Sequence, residues 1–225
     1  MAFKSLEEKD MDRKAVVIGA TGVVGREVVN ELVNRNEISE VITFTRREVD
    51  FGSPKVINYV IDFDNIENYS DLVSGEYFFS CLGTTKSQAG SIEKQRIVDL
   101  DYQLEFARLA QKNGVHHYFL VSSPGASIDS SSAYLKMKGE LDEKVKELDF
   151  ASISIFKPSL IVGDRSDFRL GEKVGIVASK LIDHVPGLKK YRSITGVEIA
   201  KKIVSEAMKV KNGKRSFELD ELFDI

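Results

Sequence analysis

Apolar residues follow two rhythms along this chain: short unbroken runs, and stretches that recur every three or four positions. Short unbroken runs bounded by turn residues read as strands buried on both faces, and the 3.6-residue rhythm reads as amphipathic helix. Ala15-Val16-Val17-Ile18 is the first run, and it stops at Gly19. Residues 23–34 follow with Val24, Val28 and Leu32 on one face, which predicts a helix. Further strands are predicted at 41–45, 56–62, 77–82, 117–122 and 151–156. The spacing predicts one long helix over 92–113, capped by Gly114, then helices over 134–148 and 197–210 and a short strand at 217–219. Strands alternating with helices imply right-handed βαβ crossovers. The predicted fold class is therefore α/β: a three-layer, doubly wound Rossmann fold with a mostly parallel sheet.

Residues 1–13 read as a polar lead-in and 14–225 as a single Rossmann domain. A less regular stretch at 163–196, with Gly171, Gly175, Pro186 and Gly187, is predicted to form a substrate-side segment. Composition changes this picture little. The 225 residues are 42% hydrophobic and 30% charged, as in an ordinary globular protein. A net charge of -3 offers no basic excess for nucleic acid or a membrane surface. No apolar run approaches the roughly 18 residues of a membrane span. The charged N-terminus lacks the apolar stretch of a secretory signal. A lone cysteine, Cys81, rules out an internal disulfide and suits a reducing compartment, read here as the cytoplasm.

Candidate chemistry begins where the first strand ends. Gly19-Ala20-Thr21-Gly22-Val23-Val24-Gly25 is a glycine-rich turn opening a helix. Free N–H groups and the helix dipole there attract a pyrophosphate, so this stretch is the candidate dinucleotide cradle. The spacing is G-x-x-G-x-x-G, with Thr21 where the commoner fingerprint has its middle glycine. The second strand ends in Thr45-Arg46-Arg47, where NAD-specific sites carry an acid. A guanidinium suits the 2′-phosphate of NADP(H), the expected cofactor. Asp62 and Phe63 close the third strand, and Asp62 reads either as an adenine contact or as a helix N-cap. Cys81, Leu82, Gly83 and Thr84 end the fourth strand, with Gly83 allowing a close backbone approach and Cys81 read as a small hydrophobe. The His116-His117 pair falls at the entry of the fifth strand, away from the predicted site. With His184 isolated, no spacing resembles a metal site.

The fifth strand ends in Ser122-Ser123, and Tyr134 and Lys138 follow, four apart on one helix face. An ammonium beside a tyrosine favours its phenolate and makes it a better proton carrier near neutral pH. Ser122, Tyr134 and Lys138 are therefore the candidate catalytic residues. Ser122 would orient a substrate carbonyl, with Ser123 in reserve if strand alternation turns Ser122 away. Lys138 would also hold the nicotinamide ribose.

In order, Gly19-Ala20-Thr21-Gly22-x-x-Gly25, Thr45-Arg46-Arg47, Cys81-Leu82-Gly83-Thr84-Thr85, Val98-Asp99-x-Asp101-Tyr102, Ser122-Ser123-x-Gly125-Ala126, Tyr134-x-x-x-Lys138-Gly139-Glu140 and Lys157-Pro158-Ser159-Leu160 with Gly163-Asp164-Arg165 form a specific series. It resembles the short-chain dehydrogenase/reductase superfamily. Within that, it resembles the atypical group that includes the HIV Tat-interacting oxidoreductase-like protein and its bacterial relatives. The resemblance implies an NADPH-binding Rossmann fold and a Ser-Tyr-Lys trio. It also implies a segment from Pro158 through Leu160 and Arg165 that lines the nicotinamide. Asp99 stands near the place where many superfamily members carry an asparagine. Two functions stay open. One is an NADP(H)-dependent, carbonyl-reductase-like oxidoreductase of a small-molecule substrate. The other is an NADPH-binding regulator or sensor working through a protein partner, and a homodimer is compatible with either.

Overall fold

The structure is a computed structural model that describes residues 13–162, 192–209 and 211–224. Seven strands form one sheet, in which every pairing is parallel. They are β1 (Arg13–Ile18), β2 (Ile38–Thr45), β3 (Val56–Val60), β4 (Tyr77–Ser80), β5 (His117–Val121), β6 (Ser152–Lys157) and, completing the sheet, β9 (Gly213–Glu218). Their spatial order is β3-β2-β1-β4-β5-β6-β9. A separate pair of two-residue strands, β7 (Ile161–Val162) and β8 (Ile194–Thr195), brackets the stretch read from sequence as the substrate-side segment. Residues 163–191 of that stretch, Arg165 among them, lie outside the described residues. Most of the predicted lead-in, residues 1–12, does too, while Arg13 already pairs with Ile38 in the sheet.

The two faces of the sheet are covered by different helices, as the alternation of side chains along a strand requires. Val16, Ile18, Ile42, Phe44, Phe78, Tyr118, Leu120, Ile153 and Ile155 face one way. They pack against the 3-10 segment Phe63–Leu72 and helices α4 (Tyr102–Lys112) and α5 (Ala133–Lys146). Ala15, Val17, Val41, Phe79, Phe119 and Phe156 face the other way, onto α1 (Val23–Val33) and α6 (Gly196–Met208). Helix α1 forms because Val24, Val28, Val29 and Leu32 bury one stripe. Helix α6 opens on a capping box, in which Thr195 and Glu198 satisfy each other's backbone N–H. The two helices meet at Gly196, where an added Cβ would lie 2.4 Å from the Val23 carbonyl oxygen.

One sequence expectation needs correcting. Residues 92–113 do not form a single straight helix. Short helices α2 (Lys86–Ala89) and α3 (Ile92–Arg96) lead into a π-turn at Ile97–Asp101 before α4 begins. The π-turn widens the helix by one residue, which brings Asp99 as well as Leu100 into the interior, where both are 1% exposed. Periodicity treats a bulge of this kind as noise. Gly114, at φ +78°, ends α4 in the left-handed region as expected.

Candidate functional site

The order of strands reverses direction between β1 and β4, and open α/β sheets bind ligands at that crevice, outside the carboxyl ends of the strands. Gly19 sits there at φ +75°, a conformation that favours glycine. An added Cβ would lie 2.4 Å from the Cys81 carbonyl group, so the turns after β1 and β4 touch through backbone alone. Gly25 lets α1 pack down on that turn, since its Cβ would lie 2.2 Å from Gly19 O. Gly22 differs. Apart from Gly19 O at 3.3 Å, a Cβ on it meets open space.

The N-terminus of α1 is bare. Gly22 is its N-cap, no side chain caps it, and its first turn holds no acid. By contrast, Ser132 and Thr195 cap α5 and α6 through their side chains. Uncapped N–H groups carrying the positive end of a helix dipole make an anion site. The side chains of Ala20 and Val24 are buried in the core, so these residues offer a ligand only backbone; Thr21 and Gly22 are exposed and Val23 is half-buried.

Arg46 and Arg47, just past β2, are both exposed. The Thr45 hydroxyl, 2.6 Å from the Arg47 carbonyl, ties down the chain between them. Asp62 acts as an N-cap, its carboxylate accepting from Asp64 N at 3.0 Å and from Asn65 Nδ2 at 2.7 Å. The Asn65 bond and then the Asp64 bond hold its carboxyl below the usual range. The Phe63 ring is core, packed 5.6 Å from Tyr102 and 5.8 Å from Phe106 between centroids.

Past β4, Thr84 is pinned from both sides: its N–H donates to Asp99 Oδ2 at 3.2 Å and its carbonyl accepts from Gln95 Nε2 at 3.2 Å. Leu82 packs on the core and Gly83 is exposed. Cys81 keeps some surface, yet its thiol lies inside, where burial pushes it up to about 12 against the pull of Lys138. That suits the small-hydrophobe reading, because a reactive cysteine needs its thiolate.

Of the serine, tyrosine and lysine, Tyr134 is 37% exposed and Lys138, one turn on, is 4% exposed. Lys138 Nζ lies 3.1 Å from Asp99 Oδ1. Ser122 is 6% exposed and points to the α5 face of the sheet. Its hydroxyl lies against the Asp142 carboxylate without reaching hydrogen-bond geometry, and Ser123 is the more open of the two serines. Asp142 is 2% exposed, with Lys157 Nζ 3.6 Å from its Oδ2. Burial raises its carboxyl, opposed by Ser122, Lys157, Lys138 and Lys146. Asp142 was missed from sequence, although Tyr134, Lys138 and Asp142 share the i, i+4, i+8 spacing of one helix stripe. Pro158 is buried, whereas Leu160 is 45% exposed and accepts from Ile194 N at 3.0 Å. His116 and His117 lie at the opposite end of β5, paired with Glu76. Among the described residues, no group of three or more His, Cys, Asp or Glu could hold a metal.

A family model described as NAD(P)H-binding matches residues 19–173. The chain belongs to the NAD(P)H-binding family that this model describes. It is 38% identical to Protein HTATIP2 of Rattus norvegicus over 175 residues, 76% of this chain and 72% of that one. It is 34% identical over 206 residues to the mitochondrial protein fmp52 of Emericella nidulans, covering 88% of each. In structure it is similar to the enzyme WbmH of Bordetella bronchiseptica, solved in complex with NAD+, with a TM-score of 0.69. That match has 13% identity and covers 95% of this chain and 79% of WbmH, so it shows the fold alone. The three-layer Rossmann fold and membership of an NAD(P)H-binding family are thus established. Among the described residues, no helix is long and apolar enough to cross a membrane.

Proposed function

We propose that this chain is an NADP(H)-dependent oxidoreductase that reduces a carbonyl or similar group of a small molecule, with Tyr134 as general acid/base. One observation carries the reading: an exposed tyrosine stands one helical turn from a buried lysine whose ammonium is tied to the turn after β4. A protein that only bound the nucleotide would have no use for a proton donor there. The residues present fit the cofactor. The uncapped amides at Val23 and Val24 and the open space beside Gly22 suit a pyrophosphate, and Arg46 and Arg47 suit a 2′-phosphate. When bound, NADPH supplies a hydride.

The chain's own residues do the rest. Tyr134 hands its phenolic proton to the substrate oxygen as negative charge develops there. Lys138, held by Asp99 one helical turn from Tyr134, would favour the phenolate by its charge and offer donors to the ribose hydroxyls. The serine that orients the carbonyl is Ser123 in this reading, because the hydroxyl of Ser122, the first choice from sequence, is turned onto Asp142. Gly83 and Thr84 would lie near the nicotinamide, as would the segment from Pro158 to Leu160 that the resemblance implies lines it. Cys81 supports a reducing compartment, and the cytoplasm remains the reading, set against the mitochondrial names of the fungal relatives.

The test is turnover of NADPH against a panel of aldehydes, ketones and quinones, with Tyr134→Phe beside the native chain. Oxidation of NADPH that falls by about 10²–10⁴-fold in the variant, at unchanged nucleotide affinity, is the expected result. Tight NADPH binding with no turnover of any substrate would move the assignment to the regulator.

A further inference from the structure

Asp99 lies inside the molecule, yet each of its carboxylate oxygens reaches a different element of the nucleotide site. Oδ1 lies 3.1 Å from Lys138 Nζ on α5, and Oδ2 accepts from Thr84 N in the turn after β4 at 3.2 Å. The π-turn at Ile97–Asp101 makes this reach possible, because it brings a residue of the predicted helix surface to 1% exposure. Gln103 holds the π-turn in place, donating from Nε2 to Asp99 O at 2.9 Å while its Oε1 accepts from Ser80 Oγ at 2.7 Å. Gly83 leaves the room: a Cβ there would come within 3.3 Å of Asp99 Oδ1. A buried ion pair of this kind adds little stability over an apolar replacement, but it fixes geometry, and losing one partner strands the other charge.

We propose that Asp99 is a positioning residue that ties the Lys138 ammonium to the Gly83–Thr84 turn, so that lysine and turn present a single pre-set face to the nicotinamide ribose. The inference rests on the reading that this site takes a pyridine nucleotide. Asp99 touches neither nucleotide nor substrate, and acts through Lys138 and Thr84. The groups facing Lys138 are Asp99 from the π-turn, Cys81 at the end of β4, and Asp142 on its own helix, with Lys157 of β6 behind Asp142. Asp99 is the one carboxylate paired directly with the ammonium among the described residues.

The test uses Asp99→Asn, which keeps an oxygen for Thr84 N–H and removes only the charge. Losing the counter-charge favours the neutral amine of a buried lysine, which has one donor fewer for a ribose. NADPH affinity, read by quenching of protein fluorescence or by calorimetry between about pH 7 and pH 9, should stay nearly level in the native chain. In Asp99→Asn it should weaken by about tenfold or more as pH rises, the weight of one charge-assisted hydrogen bond. Cys81 titrates too high to intrude in that window. Should Asp99→Asn fold poorly, the double variant Asp99→Asn/Lys138→Gln supplies an uncharged, hydrogen-bonded pair. It should regain thermal stability, while its NADPH affinity should match that of Lys138→Gln alone and be level with pH. Native-like affinity in Asp99→Asn at every pH, or native affinity in the double variant, overturns the proposal. If the native chain binds neither NADPH nor NADH, the functional reading fails instead.

Discussion

Gly22 and Gly25 stand three residues apart in one motif, and the structure gives them opposite work. Gly25→Ala puts a Cβ 2.2 Å from Gly19 O and 2.7 Å from Gly19 C, both backbone atoms of the turn under α1. Neither can step aside without moving the helix off the sheet, so the cost is that of overpacking, about 1–3 kcal/mol. For a chain of this size each kcal/mol lowers Tm by about 2–4 °C, and the variant should melt roughly 2–12 °C lower. Gly22, at φ -78° and ψ 170°, sits in extended backbone open to any residue. Gly22→Asp should fold as well as the native chain or better, because aspartate is a favoured N-cap and glycine a costly residue to order. Binding should respond the other way. Near a protein surface two like charges about 4 Å apart repel by about 4 kcal/mol, and a third of that is already roughly tenfold in affinity. Circular dichroism melts and calorimetric titration with NADPH read the two effects separately. Native affinity in a folded Gly22→Asp would refute a nucleotide lying on this turn, and an unchanged Tm in Gly25→Ala would refute the close helix–turn packing.

Arg46→Ala should weaken NADPH by about ten- to hundredfold and leave NADH unchanged, since only the 2′-phosphate loses a charge-assisted partner; calorimetry with both nucleotides checks it. Given an active substrate, Ser123→Ala should lower turnover by about tenfold or more and Ser122→Ala by less, and the reverse order in steady-state rates would return the serine role to Ser122. Burial holds His117 below its ordinary 6.5, outweighing the pull of Glu76, so the unfolded chain binds this proton first. Its share of stability is therefore present above about pH 6.5 and is lost progressively as pH falls below that value through the lower folded one. Thermal melts should show Tm falling from about pH 7.5 to 5.5, less steeply in His117→Gln.

Local pattern sufficed for the strands and most helices because their buried faces repeat every two or 3.6 residues, and each run carries its own signal. The glycine-rich turn was legible for the same reason: Gly19, Gly22 and Gly25 sit together between an apolar run and a helix. Arg46 and Arg47 followed, because the end of a strand next to the first is a place that topology assigns. What sequence could not order were contacts between residues far apart in the chain. Asp99 meets Lys138 only after β4, β5 and two helices have packed, and only because a π-turn rotates it inward, which no periodic rule anticipates. The difference in burial between Ser122 and Ser123 was likewise hidden, since Ser122 lies near Asp142, twenty residues on. Asp62, legible as either a cap or an adenine contact, became a cap once Asp64 and Asn65 closed on it. Sequence alone determined most of the elements and the glycine-rich turn between the first strand and helix, because those depend on local burial and backbone freedom. The tertiary structure decided which side chains face each other across the site, because that depends on how layers pack.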